Sequence, residues 1–264
     1  MLRLLTQAVL PRRDTVLICT CIVVIIALAW AYLLHLDRQM ASSMEHDQMM
    51  AAMGMTMEMP WTAADLFFTF AMWSVMMIGM MAGTAAPVLL LFAAAKAGHG
   101  ERVASPGVAM FGFGYLAIWI GFSACATIGQ WALHGAVMLS PVMAASSPRV
   151  AGGILVAAGV YQLTPWKRIC LAHCRTPLGF LMSNWRDGTL GAFQMGLRHG
   201  AYCLGCCWAL MCVLFAVGVM NLIWVAALTG FVLLEKIGPA AFIVTAVAGV
   251  AMVVGGVLLM AGLL

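Results

Sequence analysis

The residues best suited to chemistry lie close together between positions 198 and 212. If this stretch is helical, residues three or four apart share a face, and one face about 140° wide carries an imidazole, three thiols and a thioether. The residues on that face are His199, Cys203, Cys206, Cys207 and Met211. These soft ligands suit copper(I), zinc or an iron–sulfur cluster far better than magnesium or calcium. The spacing therefore predicts a site for a soft transition metal.

A second cysteine motif, between positions 165 and 177, supplies the partner that one helix needs in order to surround an ion. Cys170 and Cys174 are four residues apart, with His173 beside the second cysteine. We expect nearby positive charge to lower the pKa of both thiols and so favour the thiolate that binds metal. The basic residues are Lys167, Arg168, Arg175, Arg186 and Arg198.

Composition places most of the chain in a lipid bilayer. Of the 264 residues, 64% are hydrophobic and 8% are charged, with a mean hydropathy of +1.04. Soluble domains carry about 25% charged residues, and several apolar runs here reach the roughly 20 residues that span a bilayer. The formal charge of +4 comes without a basic stripe interleaved with aromatic residues, so nucleic acid is not predicted as a partner. The predicted fold is all-α, a polytopic membrane helix bundle.

Residues 1–34 predict a membrane anchor with a cytoplasmic N-terminus, since Arg3, Arg12 and Arg13 precede an apolar run from Thr15 to Leu34. A cleaved signal peptide ending near residue 31 is the alternative, but its apolar core would be only about 7–15 residues long. We predict an extracytoplasmic loop over residues 35–60 and a helical membrane domain over residues 61–264.

The predicted loop is rich in methionine and histidine, and eight of the 20 residues from 40 to 59 are methionine. Flexible thioethers bind copper(I) and escape the irreversible oxidation that threatens exposed thiols. We predict weak, exchangeable metal sites in this loop, with His46, Met49 and Met53 among the ligands. A membrane-hugging linker in a methionine-rich protein is the alternative.

Two methionine stripes follow in the next predicted span. Met72, Met76 and Met80 recur every four residues, as do Met77 and Met81. Methionines that face lipid or simply pack the core are the plainest interpretation. Because the stripes continue from a methionine-rich loop, they equally suit transfer of copper(I) from one thioether to the next.

The distribution of charge predicts the orientation of the bundle. With the N-terminus inside and about seven spans (six to seven), eleven of the 13 Lys and Arg residues fall on the cytoplasmic side, and Arg38 and Arg149 fall outside. Both cysteine motifs then face the reducing cytoplasm, where thiols stay available as ligands. We therefore expect a multi-pass membrane protein, and the family resemblance described next implies a bacterial inner membrane.

Four stretches of the chain carry a resemblance to a known family. They run from Met72 to Pro87, from Tyr161 to Pro177, from Gly200 to Met211 and from Gly218 to Lys236. In these stretches the chain resembles a bacterial family of predicted metal-binding integral membrane proteins, a domain of unknown function, over most of residues 65–240. The two cysteine motifs are specific to the family, and the methionine motif alone is not. The resemblance implies a membrane helix fold and metal binding, with no assigned activity.

The leading hypothesis is a membrane protein that binds and handles or transports copper(I). Its expected partners are the lipid bilayer, the metal ion and, as the next carrier, another membrane protein complex or a metallochaperone. The sequence holds no P-loop, no phosphorylatable aspartate motif and no acidic residue in the middle of a span. Transport would therefore be downhill, or the protein would be an insertion or sensing partner for another complex, and an enzyme is the less favoured class.

Three alternatives to copper handling stay open at this point. Zinc could clamp the two cysteine motifs in a structural or assembly subunit of a membrane complex. Cys203 and Cys206 form a C-x-x-C pair, which suits a membrane thiol–disulfide redox protein. The cysteines could also simply pack between closely approaching helices.

Overall fold

A computed structural model of the chain describes residues 10–52, 61–98, 106–135 and 147–263, and the side chains of residues 41–52 lie outside the described set. The described residues form ten helices and no strand. The helices are α1 (Arg12–Ala52), α2 (Ala63–Gly98), α3 (Pro106–Gly135), α4 (Pro148–Leu163), α5 (Pro165–Arg175), α6 (Pro177–Asn184), α7 (Gly188–Cys212), α8 (Leu214–Val217), α9 (Leu222–Ile237) and α10 (Ala241–Met260). The predicted all-α class is confirmed.

Five helical segments among the described residues are long and apolar enough to cross a membrane. They are Arg12–Met40, Ala63–Ala97, Pro106–Gly135, Gly188–Val217 and Ala241–Met260. Helices α4 and α9 have 16 residues each, whereas a straight span takes about 20. The predicted count of seven spans depends on these two helices and stays a prediction, as does the cytoplasmic N-terminus.

One expected boundary is corrected by the structure. The expected loop at 35–60 is helical as far as Ala52, because alanine, methionine, glutamine and glutamate favour helix and neither Gly nor Pro interrupts them before residue 54. Residues 53–60 lie outside the described residues.

A short helix precedes the cysteine helix. Helix α6 ends at Asn184, and α7 begins at Gly188. The chain turns between them at Gly188, which has a positive φ of 77°.

Helix α7 lies at the centre of the bundle and packs against both α3 and α5. Glycines allow α3 and α7 to approach closely. A methyl group at Gly114 would collide with the carbonyl of Phe193, and one at Gly196 would collide with the carbonyl of Phe111. Small residues at such crossings are typical of helices that pack inside membranes. The crossing fixes the direction in which the cysteine face of α7 points.

The core around α7 consists of aromatic rings, thioethers and thiols. Its buried members include Met72, Trp73, Met76, Met77, Met80, Met81, Tyr115, Trp119, Cys203, Cys206, Cys207 and Met211. The five methionines of α2 are each at most 4% exposed. They therefore face the interior of the protein, and the interpretation that they face lipid is wrong.

A fully buried ion pair joins α5 to α9. Lys167 Nζ donates to both carboxylate oxygens of Glu235 at 2.8 Å and also donates to Gln162. Thr245 donates to the same carboxylate at 2.7 Å, and Arg175 donates to the main-chain carbonyl of Glu235 at 2.7 Å. These contacts tie α4, α5, α9 and α10 together at one point, with the buried charges paired and hydrogen-bonded.

Replacing Glu235 with glutamine should destabilise the protein by about 3–5 kcal/mol, because the Lys167 ammonium would stay buried without a counter-charge. Thermal unfolding of the detergent-solubilised chain measures the loss. The double variant Lys167→Met with Glu235→Gln removes both charges and should recover part of it. A Glu235→Gln protein as stable as the wild type would contradict this role for the pair.

Candidate metal centre

Four thiols meet where α5 packs against α7. Cys203, Cys206 and Cys207 are each 1% exposed, and Cys174 Sγ lies 4.0 Å from Cys206 Sγ. A disulfide would bring the two sulfurs to about 2.05 Å, so these are separate thiols. Within α7, the thiols of Cys206 and Cys207 donate to the carbonyl of Cys203, at 3.1 and 2.8 Å respectively. The structure thus brings together the two cysteine motifs that the sequence predicts.

Gly205 allows α5 to approach α7 this closely. A Cβ atom at this position would lie 2.8 Å from the Sγ of Cys170, so a larger residue would require the Cys170 thiol to move. The absence of a side chain at Gly205 therefore lets this thiol lie directly against α7. Cys170 itself lies at the edge of the cluster and is half-buried.

Three polar side chains from other helices surround the sulfur of Cys203. Lys236 Nζ lies 2.8 Å from Cys203 Sγ, and the hydroxyl of Tyr115 lies 3.0 Å from it. Thr84 Oγ1 is 3.9 Å from the sulfur and accepts a hydrogen bond from Lys236 Nζ at 3.1 Å. The sulfur of Cys203 is therefore held by α2, α3 and α9 together.

The buried ammonium of Lys236 needs a negative partner, because an unpaired charge inside a protein is strongly unfavourable. Among the described residues, no carboxylate lies within ion-pairing distance of Lys236, and its neighbour Glu235 is paired with Lys167. The sulfur of Cys203 is in contact with the ammonium, and as a thiolate it would supply the negative charge. The arrangement therefore favours a thiolate at Cys203.

The pKa values of the two cysteines on α5 differ from the sequence prediction. Hydrogen bonding to Cys203 and Cys206, together with burial, raises the pKa of Cys174 well above its usual value. Burial also raises the pKa of Cys170. The expected lowering by nearby cations is wrong, because Lys167 turns to the carboxylate of Glu235 and Arg175 turns to its carbonyl. Cys174 is therefore a thiol at neutral pH.

His199 lies one turn before Cys203 and is buried in an aromatic pocket. Its ring centroid lies 6.2 Å from that of Phe111, 5.9 Å from that of Tyr115 and 5.0 Å from that of Phe180. Its Nδ1 has no hydrogen-bond partner among the described residues. A buried nitrogen without a partner is energetically unfavourable. Nδ1 of His199 is therefore available to bind a ligand near the thiols.

His173 does not join the thiols, although the sequence places it next to Cys174. Its ring stacks on Tyr202 with centroids 4.3 Å apart and an interplanar angle of 7°. Its Nδ1 lies 2.8 Å from the carbonyl oxygen of Ile169. The ring thus packs α5 against α7 on the outer side of the contact.

The predicted methionine ligands divide into two groups. Met211 and the five methionines of α2 lie in the same buried core as the cysteines of α7. The side chains of His46 and Met49 in α1, and the whole of Met53, lie outside the described residues. Their role as metal ligands stays a prediction.

In this arrangement the thiols do not form a closed coordination sphere. Among the described residues, no three His, Cys, Asp or Glu side chains are arranged so as to hold an ion. Cys206 and Cys207 direct their thiols at the carbonyl of Cys203. Binding an ion with more than two sulfurs therefore requires side-chain rotation at these cysteines.

The sequence prediction missed the polar residues around Cys203. It used Lys236 as evidence for orientation and did not single out Tyr115 or Thr84. One signal was available, since Glu235 and Lys236 form a charged dipeptide at the end of a 16-residue apolar helix. Two adjacent opposite charges at such a position are more often paired inside a protein than exposed to lipid.

A comparison with known protein families identifies the family to which the chain belongs. The model of the family PpoB2, described as a copper chaperone, matches residues 70–259. The chain belongs to this family. The matched range contains the methionine stripes, the four clustered thiols and Lys236, whereas α1 and the methionine-rich residues 40–59 lie outside it. No curated protein and no solved structure matches the chain.

Membership in PpoB2 gives the chain a copper-related function and favours copper over zinc as its metal. The family match is consistent with the metal binding that the resemblance implies. The PpoB2 match and the five long apolar segments together describe a copper chaperone with helices able to cross a membrane.

Proposed function

We propose that this copper chaperone holds copper(I) between Cys174 and Cys206, with Cys203 as the third sulfur. The observation that carries the proposal is the 4.0 Å separation between Cys174 Sγ and Cys206 Sγ. Two metal–thiolate bonds of about 2.3 Å place their sulfurs about 3.8 Å apart at a tetrahedral angle and about 4.6 Å apart in a line. The two sulfurs already lie at a distance that one ion can bridge.

The charge of the pocket supports a monovalent soft ion. With two of the three sulfurs as thiolates and the third as a neutral thiol, bound copper(I) carries a net charge of −1, and the ammonium of Lys236 brings the buried group to neutrality. Lys236 already contacts Cys203 at 2.8 Å, so no new charged group has to enter the core. Cys207, Cys170, His199 and Met211 lie nearby as further donors for an ion that is arriving or leaving.

The methionines of α2 provide a path to this site. Met72 lies 12 residues before Thr84, which contacts the Cys203 pocket, so about 18 Å of helix separates the two levels. Met76, Met77, Met80 and Met81 occupy that interval and are buried in the same core as the thiols. Neutral thioethers bind copper(I) weakly enough to exchange, whereas thiolates at the end of the path hold it.

The membrane setting completes the proposal. Seven spans with a cytoplasmic N-terminus would place residues 40–59 outside a bacterial inner membrane and the thiols near its inner face. Copper(I) would then move inward from the methionines to the thiolates and on to another membrane protein complex or a metallochaperone. The five candidate spans and the positive-inside bias support this arrangement.

Elemental analysis of the full chain, purified anaerobically in detergent, tests the copper site. We expect about one copper per chain in the wild type and loss of most of it in the Cys203→Ser, Cys206→Ser double variant, because serine removes both thiolates. Cys212→Ser is the matched control. It changes a cysteine of the same helix outside the cluster, and it should keep its copper.

Each other result would reject the copper assignment in a different way. Zinc in place of copper would support a structural clamp. Equal copper content in the double variant and the control would show that the ion does not bind to these thiols. A wild type free of metal, with Cys174 and Cys206 joined in a disulfide after mild oxidation, would favour thiol–disulfide chemistry.

Copper(I) binding should become tighter as pH rises, because the raised pKa of Cys174 leaves a proton on its sulfur that the metal must displace. Each displaced proton contributes about a tenfold change in affinity per pH unit below the thiol pKa. Cys174→Ser should lower the slope of log affinity against pH by about one, and Cys125→Ser should leave it unchanged. Competition with a copper(I) chelator at several pH values measures both. An unchanged slope in Cys174→Ser would exclude Cys174 as a ligand.

A further inference from the structure

We propose that a cavity between α1 and α2 is a second copper(I) site, with His35, Met40 and Met72 as its ligands. The cavity measures about 840 Å³ and lies between residues 32–40 of α1 and residues 61–72 at the start of α2. The identity of the cargo rests on the function proposed above. The site itself rests on the residues that line the cavity.

The donors come from two facing helices. On α1 the lining residues fall between positions 32 and 40. His35 and Met40 are five residues apart, about 140° around the helix, so they lie at the two edges of the face that borders the cavity. On α2 the lining ends at Met72, which is 4% exposed, so this thioether forms the inner end of the cavity. An imidazole and two thioethers are soft ligands suited to copper(I).

The charge of the lining favours a cation over an anion. Among the described lining residues the one formal charge is that of Asp65, and a negative wall attracts cations. The carboxylate of Asp65 accepts hydrogen bonds from the main-chain nitrogen and the hydroxyl of Thr62, at 2.8 and 2.7 Å. These bonds form a capping arrangement at the start of α2. The carboxylate is thus committed to the helix end, and the soft ligand atoms of the lining are those of His35, Met40 and Met72.

The position of the cavity connects the two methionine-rich parts of the chain. Met40 and Trp61 both line it, and they flank residues 41–60 in the sequence, where seven further methionines occur. Met72 is also the first residue of the buried series Met72, Met76 and Met80. An ion in the cavity is therefore next to the start of the path to the thiols.

Silver(I), a soft monovalent ion with no redox chemistry at thiols, is the probe that tests this site. The full chain is labelled with methyl-¹³C methionine in lipid nanodiscs and titrated while methyl resonances are followed. Met40→Leu and Met72→Leu assign the two signals, and leucine conserves volume well enough to keep the fold. Beyond the silver that fills the thiols, we expect both signals to shift together. His35→Asn should weaken that phase about tenfold, which corresponds to the loss of about 1.4 kcal/mol of binding.

Met182→Leu is the control, since Met182 lies on α6 away from the cavity and is exposed, and it should leave the titration unchanged. Signals of Met40 and Met72 that stay still as silver is added beyond the amount that fills the thiols would overturn the second site and leave the proposed function intact. Shifts at both methionines without metal at the thiols would support the second site and overturn the proposed function. Methionine shifts with the same silver affinity in His35→Asn would exclude the imidazole as a ligand and would overturn the three-ligand site.

Discussion

A buried ammonium must have a negative partner, and this requirement organises the metal centre. Two lysines, Lys167 and Lys236, are buried in neighbouring parts of the bundle. Glu235 is paired with Lys167, which leaves Lys236 in contact with the sulfur of Cys203 at 2.8 Å. A neutral thiol there would leave the ammonium unbalanced in the core, so the thiolate is the stable form. The ion pair at Glu235 therefore determines the chemistry of the neighbouring pocket.

In the proposed copper site, the same balance of charge would account for both capture and release of an ion. The Cys203 thiolate would be available before copper(I) arrives, and Lys236 would offset the negative charge once a second thiolate is bound. After release, Lys236 would again have Cys203 as its partner, so no buried charge would be left unpaired. The methionines of α2 are neutral and have no such counter-charge. On this proposal, charge as well as ligand softness distinguishes the methionine path from the thiolate site.

Helical periodicity explains what the sequence could predict. The face that carries His199, Cys203 and Cys206 follows from 3.6 residues per turn, and the apolar runs identified most of the helices. The direction of a side chain towards a distant helix is not encoded in local spacing. Lys167 turns away from the thiols to Glu235, and His173 stacks on Tyr202. Hydrogen bonding to Cys203 and Cys206, together with burial, raises the pKa of Cys174, where the sequence predicted that it would be lowered. Lys236 and Tyr115 reach Cys203 only through tertiary packing.

X-ray absorption spectroscopy of the full chain with one bound copper(I) tests the central claim most directly. The account predicts copper(I) surrounded by two or three sulfur atoms at about 2.2–2.3 Å, as for metal–thiolate bonds. It also predicts that replacing Cys206 with serine removes a sulfur from this shell. A shell of nitrogen or oxygen ligands, or a sulfur shell that is the same in the Cys206→Ser variant, would contradict a copper site at these thiols.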